Sequence, residues 1–151
     1  MKPFIVLIAV FGLSILGIKL FQDNYNFPLA GRIAMAAMLL FTAVGHFAFT
    51  QGMTMMLPDF IPYKKAVVQL TGIIEIVAAI GLFLPSIRQL TGWLLIVFFI
   101  LILPANIYTS IHQIDYQNGT FDGKGINYLW FRVPLQLFFI GWVYFSAIYK
   151  Q

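Results

Sequence analysis

The sequence predicts an all-α integral membrane protein with five spans. Two observations predict this class. Of the 151 residues, 61% are hydrophobic and only 9% are charged, against about 25% charged in an ordinary soluble domain, so there are too few charges to cover a water-facing surface. Five apolar runs, residues 4–21, 31–50, 66–84, 90–111 and 128–149, each approach the roughly 20 residues that cross a hydrocarbon core about 30 Å thick. Helices follow, because a backbone in lipid must satisfy its polar groups within the segment.

The first run begins after "MKP", as a signal peptide would, but "GIKLFQDNYNFP" is bulky and polar and lacks a small-residue cleavage site. We read it as an uncleaved span. The connections "FQDNYNFP" and "LPSIRQ" are short, so the spans they join are antiparallel neighbours. Residues 51–65, "QGMTMMLPDFIPYKK", are too apolar for a free loop and too broken by Pro58 and Pro62 for a span. They read as an interfacial or re-entrant segment. Residues 112–127 are the most polar stretch, and Asn118-Gly119 and Asp122-Gly123 are turn signals for a small hairpin.

The chain has no cysteine, which excludes a disulfide framework, a thiol redox centre of its own and iron–sulfur ligation. A net charge of +4 in such a chain reads as topology and contact with membrane lipids, not as a nucleic-acid surface. Lys2, Lys64, Lys65 and Lys124 gather on the face that holds the N-terminus, and Arg32, Arg88 and Lys150 on the opposite face. The bias makes the first face cytoplasmic.

The polar side chains inside the spans are unevenly placed. With five crossings, His46, Glu75, Asn106, Arg132 and Gln136 all fall in the half of the membrane nearer the first face, while the other half is almost purely apolar. Glu75 lies about 15 Å deep on the helical rise, and an isolated charge there is expensive. Arg132 is always protonated and has five donors, so the expected arrangement is Glu75 facing Arg132, with Gln136 one turn deeper. Two readings stand side by side: an ion pair that fastens helices, and a polar pocket for a ligand or proton. His46 and His112 could ligate haem or a metal only if brought together. His46 has no carboxylate at metal-ligand spacing and His112 sits at a span end, so no metal site is expected and haem is disfavoured. Pro104 should kink the fourth span and free carbonyls near Asn106. Gly45, Gly72 and Gly81 should allow close helix approach.

The stretches "GHF" (45–47), "MLPDFIP" (56–62), "TGIIEIVAAIGLFLPSIR" (71–88), "LPANIY" (103–108) and "RVPLQ" (132–136) occur in an order that resembles DoxX-like membrane proteins. The resemblance implies a four-helix membrane domain over residues 31–150, with residues 1–22 as an additional N-terminal transmembrane helix. His46, Glu75, Asn106, Arg132 and Gln136 match that family's recurring polar positions. Some of its members are subunits of membrane oxidoreductases, including a thiosulfate:quinone oxidoreductase. The implied function is a membrane subunit that binds a quinone-like or other amphipathic small molecule beside a membrane or peripheral oxidoreductase partner, in a bacterial inner membrane. The alternatives are a structural or assembly partner with no ligand, and a small metabolite or proton transporter. One-sided polarity and the lack of an inverted repeat count against transport.

Overall fold

The computed structural model describes residues 2–149. Met1 and Lys150, at the outer ends of the two expected domains, lie outside the described residues. The described chain is helical, with one isolated antiparallel bridge, Asp115 to Thr120.

The helices run in the order α1 (Lys2–Gln22), α2 (Phe27–Ala48), α3 (Thr50–Thr54), α4 (Lys64–Gly81), α5 (Arg88–Leu101), α6 (Leu103–Ile111) and α7 (Leu129–Val143). A short 3₁₀ turn, Ile126–Tyr128, leads into α7, and a π-helical turn, Tyr144–Ile148, follows it. Four helical stretches are long and apolar enough to cross a membrane: Lys2–Phe21, Phe27–Ala48, Arg88–Ile111 and Ile126–Ile148. The remaining apolar run, the third in chain order, forms α4, which has 18 residues and carries Lys64, Lys65 and Glu75.

Local chemistry sets the boundaries. Asn26 caps α2 by accepting from the Leu29 N–H at 3.0 Å, with Pro28 in the first turn. The fourth run divides at Ile102, because Pro104 has no N–H for the carbonyl four residues back. Residues 51–65 hold α3 and then a series of turns. The small hairpin expected in residues 112–127 is present in minimal form: Asp115 and Thr120 exchange both backbone bonds, and Asp115 Oδ1 accepts from the Gln117 N–H at 2.9 Å inside the turn.

Contacts fix which ends meet. Lys2 Nζ donates to Gln117 Oε1 at 3.5 Å, Phe49 meets Tyr116 edge-on, and Lys64 and His112 line one cleft. The start of α1, the ends of α2 and α6 and the start of α4 therefore share one end, called here the loop end. At the opposite end Gly31 lies against Ser146, Gly81 against Thr91 and Gly92 against Ile148. Between the ends, a core of Met35, Met38, Leu39, Leu82, Leu95 and Val143 is fully buried. α1 lies along α2 and reaches α7 through Phe4–Phe138 and Phe11–Trp142 ring contacts.

Candidate functional site

The polar residues of the loop-end half fall into two units. The first joins α2 to α4. A Cβ on Gly72 would stand 2.9 Å from His46 Cβ, so only glycine lets the helices approach this closely at that level. One turn further along the same face is Glu75, whose Oε2 lies 3.5 Å from His46 Nε2. Thr71 holds the other ring nitrogen, with Oγ1 3.1 Å from Nδ1. The Thr71 hydroxyl donates its one hydrogen to the Val68 carbonyl at 2.7 Å, so it accepts from Nδ1–H. Nε2 is thereby turned towards the carboxylate. The pair is complementary when one proton lies between Nε2 and Oε2, as imidazolium with carboxylate or as imidazole with carboxylic acid.

Glu75 is 4% exposed, and its buried Oε2 makes no hydrogen bond with any described residue. That is costly for a carboxylate in an apolar setting. The His46 side chain remains 19% exposed, so the pair lies at the edge of the bundle and is not sealed inside it.

The second unit joins the last three helices. Arg132 Nη2 donates to Asn106 Oδ1 at 3.1 Å, tying α7 to α6. Gln136 Nε2 donates to the Phe99 carbonyl at 2.8 Å, just before the break at Ile102. Gln136 thus supplies a donor at the end of α5, where a helix leaves carbonyls without partners. Tyr116, in the turn beyond α6, extends this unit. Burial pushes its phenol up from the ordinary value, and the Arg132 guanidinium pulls it in the opposite direction.

The expected Glu75–Arg132 pair is corrected by this geometry: Glu75 faces His46 and Arg132 faces Asn106. The reason is lateral. α4 docks on α2 through Gly72, whereas α7 docks on α5 and α6. The opposite half is also less apolar than expected. Arg32 is buried, with Nη1 donating to the Ser146 carbonyl at 3.1 Å, and Trp142 Nε1 donates to the Gly31 carbonyl at 3.0 Å. The cap pair Asn26 and Pro28 was the available signal, since a helix starting at Phe27 puts Arg32 inside the span. Of the three expected close-approach glycines, Gly72 and Gly81 leave no room for a Cβ, while one on Gly45 would make ordinary contact with Met53.

Two clefts lie at the loop end, of about 280 and 350 Å³. Neither is lined by the five predicted residues.

The domain family described as "Domain of unknown function (DUF8561)" matches residues 35–147. The chain belongs to this family. The match takes in both polar units and leaves α1 outside. No curated protein and no solved structure matches the chain.

Proposed function

We propose that the chain is a five-span membrane protein whose His46–Glu75 pair, with Arg132 nearby in depth, receives the polar head of a quinone-like amphipathic molecule and exchanges a proton with it. The span that brings the number to five is α4, third in chain order. At 1.5 Å per residue its 18 residues measure about 27 Å, close to the core thickness. Its outward stripe of Leu70, Ile73, Val77 and Ile80 is exposed, which suits lipid and not water. Lys64 and Lys65 at its start would reach the interface.

The single observation that carries the ligand reading is Glu75 Oε2. A buried acceptor without a hydrogen bond is complementary to a hydroxyl donor such as that of a quinol. The motif order that resembles DoxX-like proteins supports a place beside an oxidoreductase partner, which would supply the electrons, and a bacterial inner membrane as the setting. The chain's own residues handle the proton and the head group. A second reading, helix fastening without a ligand, is favoured by the Arg132–Asn106 and Gln136–Phe99 bonds, which spend those groups on neighbouring helices.

The two readings part on a thermal-shift measurement in detergent. A soluble short-tail quinol should raise the melting temperature of the wild type, since binding to the folded state stabilises it. Glu75→Gln should fold and lose that rise. No rise with any quinol or quinone, in a wild type shown to be folded, leaves the fastening role.

A further inference from the structure

A cleft lies at the loop end, away from Glu75. Five segments converge there on the cleft of about 280 Å³: the end of α3, the turns after it, the start of α4, the end of α6 and the turn beyond. Its apolar lining is Met55, the buried Ile114 and the exposed Phe121, and its polar lining includes Asp59, Lys64 and His112. At the same end stand exposed aromatic side chains: Phe60 at 84% and Tyr63 at 85%, next in sequence to Asp59 and Lys64, and Trp130 at 83% near the start of α7. Exposed rings at the ends of apolar helices belong at the head-group level of a bilayer, so the cleft opens where lipid head groups lie.

The rim chemistry selects among them. Lys64 Nζ lies 2.7 Å from Asp59 Oδ1, and the Lys64 hydrogen bond and charge hold the Asp59 carboxyl below the usual carboxylate range. One cation therefore already stands against one anion. A plain anion at Lys64 would meet Asp59, and a plain cation at Asp59 would meet Lys64. A zwitterion with adjacent ammonium and phosphate groups can instead cross-pair with both. His112 adds a nitrogen to the ammonium side. Its Nδ1 lies 3.0 Å from the Tyr108 carbonyl and donates to it, which leaves Nε2 as an outward acceptor for an ammonium N–H. Asp59 is fully open and accepts from N–H donors, which a primary ammonium has and a quaternary one lacks.

We propose that this cleft binds the phosphoethanolamine head group of a membrane lipid, ammonium on Asp59 and His112 Nε2, phosphate on Lys64, and the glycerol end over Met55 and Phe121. The site rests on the membrane placement of the helices but not on the Glu75 ligand.

The test is retention of short-chain phosphatidylethanolamine, phosphatidylcholine and phosphatidylglycerol by the full chain in detergent, read by native mass spectrometry. Phosphatidylethanolamine should be held about tenfold more tightly than either of the others, a difference of about 1.4 kcal/mol. Asp59→Asn, at a fully exposed side chain, should fold and bring phosphatidylethanolamine down to the level of phosphatidylcholine. Lys64→Gln should weaken phosphatidylethanolamine and phosphatidylglycerol alike. Glu75→Gln should leave the whole lipid series unchanged while removing the quinol response, so the two sites can fail separately. Equal retention of the three lipids, or an ethanolamine preference that survives Asp59→Asn, would overturn the proposal. Binding of free phosphoethanolamine as tight as that of the lipid would overturn the lipid assignment.

Discussion

The two ends of the bundle use the same device for different purposes. At each, a helix glycine leaves no room for a Cβ, and a charged residue lies buried beside the contact. At the end opposite the loops, Gly31 meets Ser146 and the buried Arg32 donates to the Ser146 carbonyl. Towards the loop end, Gly72 meets His46 and Glu75 is buried beside it, with Oε2 making no hydrogen bond. The Arg32 charge is spent on joining α2 to the π-helical turn after α7. The Glu75 charge joins nothing by a hydrogen bond. Burial of a charge is costly in both places, but Arg32 is held by a hydrogen bond at 3.1 Å, whereas Glu75 faces His46 at 3.5 Å with Oε2 still open to a further donor.

The largest effect expected from this contrast is at Arg32. Arg32→Ala removes a charged donor from a buried carbonyl and should lower stability by about 2–3 kcal/mol. Denaturant unfolding in a mild detergent measures it. A loss no greater than that of Glu75→Gln would erase the difference between the two ends.

What the sequence could and could not show follows from what each signal encodes. Hydropathy encodes depth, and the apolar runs became helices because lipid-facing and core-facing residues are both apolar. Pro104 foretold the break at Ile102 because a missing N–H acts locally. Rise per residue placed Glu75 and Arg132 in the same half of the membrane, but depth says nothing of which helices are neighbours. The lateral signal was Gly72, three residues before Glu75 and so on the same helix face. That face approaches α2, which makes His46 the partner of Glu75. Arg32 was hidden by a boundary four residues too late: placing the span start at Gly31 left Arg32 at the rim, whereas the Asn26 cap puts it inside. The bond from Gln136 to the Phe99 carbonyl had no sequence signal beyond the nearby proline, since it depends on how α7 is rotated against α5.

The next effect in size concerns the glycines themselves. Gly31→Val and Gly72→Val should each cost about 1–3 kcal/mol by overpacking, because the added Cβ would stand 2.8 Å from Ser146 Cβ in the first case and 2.9 Å from His46 Cβ in the second. Their second readout should differ. Gly72→Val moves α4 away from α2 and should weaken the quinol response in the same variant. Gly31→Val acts at the other end and should leave that response intact in the fraction that folds. Equal loss of the response in both would show that the two ends are one cooperative unit.

The smallest effect is expected at Glu75, and its smallness is the point. If Glu75 were a fastener, Glu75→Gln would weaken the contact between α2 and α4 as Arg32→Ala weakens the opposite end. Its Oε2 accepts no hydrogen bond that the amide would lose, and the amide can offer an N–H towards His46 Nε2, 3.5 Å from Oε2 in the wild type. Removing the charge also removes the penalty for burying it. The net change in unliganded stability should therefore stay within about 1 kcal/mol of the wild type, in either direction. Quinol binding should go with the charge, because a neutral amide at residue 75 no longer offers the carboxylate oxygen to a hydroxyl donor. Unfolding curves and quinol titrations of wild type and Glu75→Gln read both quantities from the same samples. A stability loss as large as that of Arg32→Ala, with quinol binding unchanged, would make Glu75 a second join and return the molecule to two fastened ends with no site between them.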